Sequence, residues 1–326
     1  MTAPMQLGYA VNQWKPNFDD FTRKEQHIRA FKVLVAAGFT GIELRSGTGR
    51  WDPLGRPASI AANYGSIDGF VQLLNDLGIE AVTSWFFDPE APIDEELSRG
   101  RSILNSDDHA AIVATCRELA EFLEVACGRR IVVRALPAAW RHGSLSPVDV
   151  AVAAAGWNRV GRAVAEHGVR VSLHADVLSA AADDDVLGQL LGDTDEAVVG
   201  LTIDTAELTL AGLDVLDIFQ RYAERVDHIQ LKDTRYVDSA AERFGPHAER
   251  ALLQEGGRRE VERWFYECGT PGGLVDFPGL VASLNRNGYS GWLIFESDQS
   301  PNPATSVMLN AWYAQHRLGF RRDRRV

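Results

Sequence analysis

Short apolar runs recur along the chain at residues 7–11, 41–44, 79–85, 131–136, 169–174, 198–203, 226–231 and 292–295. Most are rich in Val, Ile and aromatic residues and are too short for helices, which predicts buried strands. Between them apolar residues repeat at helical spacing. Ile28, Phe31, Leu34 and Val35 form one such set, and Ile112, Cys116, Leu119 and Leu123 another. Residues 150–164 and 215–222 follow the same period, as do Met308, Leu309, Trp312 and Tyr313. Gly38, Gly78, Gly128, Gly168 and Gly288 each stand just before the next strand, where a left-handed residue closes a helix.

Strand then helix, repeated at about 41 residues per unit, implies parallel strands joined by helical crossovers. Eight units predict closure into a (β/α)8 TIM barrel. A length of 326 residues fits either two ordinary domains or one large barrel with insertions. No low-complexity linker divides the chain, so a single domain over residues 1–326 is expected. The surplus falls in long loops after strand 3 (86–108), strand 4 (137–147) and strand 7 (an insertion at about 234–268), with a basic tail at 319–326.

Hydrophobic residues make up 45% and charged residues 24%, which excludes a largely disordered chain. With 33 basic and 45 acidic residues the formal charge is −12, which opposes nucleic-acid and anionic-lipid partners and favours a neutral or cationic ligand, or a metal. The basic run at 321–325 reads as a solvated tail. Cys116, Cys127 and Cys268 form no CxxC pair and suggest no disulfide framework, and Cys116 lies on an apolar helix stripe as a buried thiol. No secretory leader and no membrane-length apolar run is evident, so a cytoplasmic location is expected.

Residues just past barrel strands are the functional suspects. Strand 5 ends in His174-Ala175-Asp176 and strand 6 in Asp204-Thr205-Ala206-Glu207. Strand 7 carries His228-Ile229-Gln230-Leu231-Lys232-Asp233, strand 8 ends in Glu296-Ser297-Asp298, and strand 2 in Glu43-Leu44-Arg45. So many acids in one mouth repel one another unless a cation neutralises them. Their oxygen and nitrogen donors suit Mn2+, Mg2+ or Co2+ better than a thiolate-seeking metal. The plainer reading, that each polar residue only caps the next helix, weakens when four consecutive strands show the pattern. His27, His109, His167, His247 and His316 read as surface residues. Trp14, Trp85 and Trp140 follow strands 1, 3 and 4, and suit either the core or stacking on a sugar ring. No GxGxxG joins a strand to a helix, and the glycines at 269–273 follow no strand, which opposes a dinucleotide or phosphate cradle.

At these strand ends the chain resembles the xylose isomerase-like barrels, the sugar phosphate isomerase/epimerase and inosose dehydratase superfamily, over nearly its whole length. The carriers are Asp204-Thr205, the His228-to-Asp233 motif, and Glu296 after Gly288-Tyr289-Ser290-Gly291-Trp292. The segment at 273–279 also looks like the one that precedes the family's last unit. The resemblance implies a divalent metal, Mn2+ first and Mg2+ or Co2+ otherwise, held by His174, Asp204, Gln230 and Glu296. Three positions depart from the pattern: His174 stands where a glutamate is usual, as in the dehydratase branch, Gln230 stands where a histidine is usual, and Glu207 replaces a customary histidine as a supporting acid or a base. Only Glu296 remains of the two glutamates that isomerases of this kind use, which shifts the expectation from epimerase toward dehydratase.

The opening segment, residues 9–15 with Phe18-Asp19-Asp20, is similar to the large subunit of bacterial C-glycoside deglycosidases. That resemblance implies a metal-dependent lyase on a keto-sugar, one that removes the proton α to the ketone and eliminates the β-substituent of a 3-oxo-glucoside. It also implies a small second subunit and hence a hetero-oligomer. The alternatives are a keto-sugar or inosose dehydratase, a ketose 3-epimerase or isomerase, and a non-catalytic sugar-binding or partner subunit. His142, with the ordinary imidazole pKa of about 6.5, is the candidate base or acid, and Lys232 orients an oxygen. The plainer role of Lys232 is an ion pair with Asp233 or Glu207. Glu296 completes the catalytic set. Asn12, Trp14, Glu43, Trp85, Asp176, Glu207 and Asp298 are expected to line the substrate. An endonuclease on this fold is opposed by the charge of −12 and the lack of a rich histidine cluster.

Overall fold

The computed structural model describes residues 5–14, 23–46, 54–90, 100–238, 264–298 and 300–320, apart from the side chains of Trp140 and Arg141. Eight parallel strands form a closed barrel in sequence order. They are β1 (Gln6–Ala10), β2 (Gly41–Arg45), β3 (Ala81–Phe87), β4 (Arg130–Arg134), β5 (Arg170–His174), β6 (Val199–Asp204), β7 (Val226–Leu231) and β8 (Trp292–Phe295). The seam pairs β1 with β8, from Gln6 opposite Trp292 to Tyr9 opposite Phe295. Around the barrel lie α1 (Lys24–Ala37), α2 (Pro57–Tyr64), α3 (Ile67–Leu77), α4 (His109–Val125), α5 (Ala139–His142) and α6 (Pro147–Ala165). They are followed by α7 (Asp184–Asp193), α8 (Thr205–Leu210), α9 (Val215–Arg221), α10 (Phe277–Arg286) and α11 (Pro303–His316). The TIM barrel read from the alternating pattern is therefore the observed fold.

Strand alternation sorts the side chains into two sets. Ile42 and Leu44 of β2, Val171 and Leu173 of β5, Leu201 and Ile203 of β6, and Ile229 and Leu231 of β7 belong to the apolar core shared with the helices. Their neighbours of opposite parity are polar and equally buried: Glu43, Ser172, His174, Thr202, Asp204, His228 and Gln230. These four strands are thus apolar on the helix side and polar on the other. A polar column of this kind persists only if its members satisfy one another.

Several strands start later than their apolar runs. Ile79 donates its amide to Leu74 and Val169 to Val164, so each closes the preceding helix before its strand begins at Ala81 or Arg170. Gly38, Gly78, Gly168 and Gly288 have positive φ as expected, but Gly128 does not. There Cys127 takes the left-handed conformation, at φ 61°. Gly128 is required for space instead, because a Cβ would meet the Val82 carbonyl and the Leu123 side chain.

Other expectations are corrected by packing. In α11 the buried face is Ser306, Val307, Asn310, Ala311 and Ala314, whereas Met308, Leu309 and Trp312 are about half exposed. The reason is polar demand beneath the helix: Asn310 donates to the Tyr9 hydroxyl and accepts from the Cys268 amide. His27 and His109 are buried rather than on the surface; His27 pairs with the Tyr64 hydroxyl at 2.6 Å and His109 with the Ile103 carbonyl at 2.8 Å. His167 sits at the surface beside Glu124, and His316 is exposed. Cys116 is buried as expected, and all three cysteines are free. His247, Lys15, Phe18-Asp19-Asp20, the Trp140 side chain, the tail at 321–326 and most of the 234–268 insertion lie outside the described residues. Among the described residues, no helix is long and apolar enough to cross a membrane.

Candidate active site

The ends of β6, β7 and β8 are stitched together by backbone and hydroxyl contacts. Thr205 Oγ1 donates to the Lys232 carbonyl at 2.6 Å and accepts from the Lys232 amide at 3.1 Å, and the Glu296 amide donates to the Leu231 carbonyl. Asp204 caps α8, its Oδ1 accepting from the amides of Ala206 and Glu207. The cap puts Glu207 in the first turn of α8, where its Oε2 accepts from the Val177 amide at 2.9 Å.

These constraints bring one ammonium among four carboxylates. Lys232 Nζ lies 2.6 Å from Glu296, 2.9 Å from Asp204, 3.0 Å from Asp298 and 3.5 Å from Glu207. It also sits 4.3 Å from the centre of the Phe265 ring. Lys232 is 2% exposed, so the attraction is little screened by water. From the turn after β1, Asn12 donates to Glu296 Oε2 at 3.0 Å and to Asp298. His174 Nε2 meets Asp204 Oδ2 at 3.1 Å, and the ring is held edge-on by Phe86.

Protonation follows from burial and charge together. Burial opposes the charge of Lys232, yet Asp204, Asp298, Glu296 and Glu207 more than reverse this and hold it firmly charged. Burial would raise Asp204, but Lys232 and His174 bring it down to about 2. Burial wins at Glu207, pushing it up to about 7, and at Glu296, which Asp298 pushes further above the usual carboxylate range. Burial opposes a charge on His174, and its hydrogen bond to Asp204 overcomes this and raises it.

A second cluster lies on the polar side of β2, β3 and β7. Glu43 Oε2 accepts from the Ser84 hydroxyl at 2.7 Å and faces His228 Nε2 at 2.8 Å, while Glu43 Oε1 accepts from the Gln230 amide at 2.6 Å. Glu43 is 3% exposed and bridges Ser84, His228 and Gln230 on the polar side of β2. Trp85 is displaced from the expected lining: it lies within β3, buried edge-on against Phe122 of α4 at 5.1 Å. Its parity on the strand sends it to the helix layer. Trp14 is half-buried, edge-on to Tyr9 at 6.4 Å.

The structure brings His174, Asp204, Glu207, Lys232, Glu296, Asp298 and Asn12 into one connected cluster, and Gln230 adjoins it opposite Asp204 in the strand register. Lys232 pairs with Glu207 but not with Asp233. Asp233 instead accepts from the amides of Thr234, Gly269 and Val275, and burial pushes it up to about 6. Asp176 is engaged by Arg134 through two contacts of 2.8 and 2.9 Å, and Arg134 also reaches Asp88 at 3.1 Å. His142, at the end of α5, lies 3.4 Å from Glu90. Sequence reasoning missed Arg134, Asp88 and Phe265. Arg134 left a signal, as the charged residue that interrupts the run at 131–136.

The family profile described as Xylose isomerase-like TIM barrel matches residues 31–315. The chain belongs to this family. An inosose dehydratase of Clostridium beijerinckii is 30% identical over 169 residues, 51% of this chain and 53% of the relative. The rhizopine catabolism protein MocC of Rhizobium meliloti is 30% identical over 187 residues, 54% of each chain. The chain thus spans about half the length of the curated relatives it matches. Among solved structures, the probable 3-DHS dehydratase AsbF from Bacillus anthracis superposes with a TM-score of 0.71 at 14% identity, covering 96% of this chain and 100% of that one. The IOLI protein with a bound zinc atom superposes with a TM-score of 0.66 at 12% identity, covering 94% and 95%. At these identities the two structures establish the fold.

The donor set bears directly on a metal. His174 Nδ1 and Gln230 Oε1 are buried atoms without a hydrogen-bond partner among the described residues, and both belong to the four residues the resemblance named as ligands. One ammonium also leaves four carboxylates under-neutralised. Spare lone pairs and surplus negative charge fit a divalent cation with oxygen and nitrogen ligands. Among the described residues, no group of three His, Cys, Asp or Glu side chains is gathered to hold a metal by itself.

Proposed function

We propose that this protein is a lyase acting on a keto-sugar or keto-cyclitol, removing the proton α to the ketone and expelling the β-substituent. The observation that carries this reading is the buried Lys232 ammonium among Asp204, Glu207, Glu296 and Asp298 at the strand ends. The inosose dehydratase relatives support it. His174, Asp204, Gln230 and Glu296 would hold the divalent metal, Mn2+ first. When bound, such a metal polarises a carbonyl and stabilises negative charge on its oxygen.

The chain's own residues supply the rest. Lys232 donates to the substrate oxygen on which charge develops, at a site already ordered by its carboxylate partners. Glu207 is the proposed base: its Oε1 makes the longest of the four contacts to Lys232, at 3.5 Å, while the Val177 amide fixes its Oε2. It takes the proton from the α-carbon, the C–H electrons form the enolate, and the enolate expels the group on the β-carbon. His142 is the proposed donor of a proton to that leaving group, from the segment after β4. Asn12 and Asp298 hold substrate hydroxyls.

The finer proposal is a 3-oxo-glucoside as substrate, with the proton on C2, the aglycone leaving from C1, and a small second subunit completing the enzyme. It rests on the similarity of the opening segment to C-glycoside deglycosidases. The test is to incubate the purified, Mn2+-loaded chain with a keto-inositol and with 3-oxo-glucosides in D2O. Release of water or aglycone supports the lyase. Deuterium uptake with the carbon skeleton and all substituents retained would instead make it an epimerase or isomerase, and inertness toward both substrates would sink the proposal.

A further inference from the structure

We infer that Glu43 is a positioning residue that turns the Gln230 amide oxygen toward the site. An amide side chain has two faces, one that donates and one that accepts, and only its neighbours decide which way it points. Glu43 decides here. Its carboxylate accepts, so the group it meets at 2.6 Å must be the NH2 of Gln230. The oxygen is forced to the other side, where it is buried with no hydrogen-bond partner among the described residues.

Glu43 is itself immobilised. Ser84 and His228 both reach its Oε2, at 2.7 and 2.8 Å, so only Oε1 remains for Gln230. The arrangement explains how glutamine can stand on β7 where the family pattern has a histidine. A histidine can donate through one ring nitrogen and present a lone pair on the other, and Gln230 reproduces that division with NH2 and oxygen. An unpinned glutamine would spend part of its time with the NH2 group, which has no lone pair to offer a cation, facing the site.

This rests on the metal-dependent reading above, and its test has two arms. In the first, the full chain is freed of metal with a chelator and titrated with Mn(II), followed by the electron paramagnetic resonance of the free ion. Glu43→Gln should weaken Mn(II) binding by about 10- to 100-fold, because the amide introduced there can offer its own NH2 and capture the Gln230 oxygen. In a Gln230→Leu background the same change should alter affinity by no more than about twofold. Gln230→His in the Glu43→Gln background should recover most of the affinity. Equal losses from Glu43→Gln in both backgrounds would show that Glu43 acts only through the barrel, and would overturn the inference.

The second arm needs no metal. The side-chain NH2 of Gln230, identified by its disappearance in Gln230→Leu, should exchange slowly with solvent and shift strongly in Glu43→Gln or Glu43→Asp. A rapidly exchanging pair unaffected by either substitution overturns the inference. Wild-type protein that takes up no Mn(II) would overturn the metal-dependent reading alone, and this arm would still decide whether Glu43 pins Gln230.

Discussion

Lys232 Nζ stands 2.6 Å from Glu296 Oε1 and 2.9 Å from Asp204 Oδ2, so one ammonium ties the end of β8 to the end of β6. Removing it leaves buried carboxylates without their main counter-charge. Lys232→Met is expected to cost about 3–5 kcal/mol of stability and at least about a hundredfold in turnover. Urea unfolding and rates with a keto-inositol check the two parts.

Glu207 is expected to matter for rate more than for folding. Glu207→Gln keeps an oxygen for the Val177 amide but cannot take a proton. Turnover should fall by about 10²- to 10⁴-fold with the melting temperature little changed. Comparable kcat in the variant and wild type would remove Glu207 from the reaction.

Metal should stabilise the fold through the same residues. Mn2+ at about 100 times its dissociation constant adds about 2.7 kcal/mol to a protein that binds it only when folded. Thermal melts with and without Mn2+ should therefore differ for the wild type, and coincide for Asp204→Ala.

Trp85 offers the opposite case, a large residue that serves only the core. Trp85→Ala should destabilise by about 3–5 kcal/mol, since the indole packs on Phe122 at full burial. Fully folded variant protein should keep the wild-type KM. A raised KM would return Trp85 to the substrate lining.

Asp233 gives a pH signature. Its carboxyl is raised from 3.8 to about 6 by burial, so the folded state holds the proton more tightly than the unfolded chain. Its contribution to stability therefore grows as pH falls through about 6 and levels off below about 4. Asp233→Asn removes this contribution, and the slope of melting temperature against pH in that window should change accordingly. An unchanged slope would show that Asp233 is not the titrating group.

The barrel was legible because two periods, one of strands and one of helices, repeat without interruption, and because glycines mark several of the junctions. The carboxylate cluster was legible because Asp204, Lys232 and Glu296 follow directly on apolar runs. Trp85 was misplaced because nearness to a strand end says nothing about parity, and parity decides whether a side chain faces the barrel interior or the helices. The pairs Arg134 with Asp176 and His142 with Glu90 join segments far apart in sequence. No local pattern announces such pairs. The exposed apolar face of α11 was misread because the helix packs through small residues and Asn310, which leave no apolar period.

Asn12 and Glu296 meet across 284 positions of chain, at the seam where β1 pairs with β8. Closing a loop of that length carries a large entropic cost, so this contact depends on the integrity of the whole ring. Opening the β1–β8 seam would part Asn12 from Glu296, whereas the contacts of Lys232 with Asp204 and Glu207 do not cross that seam.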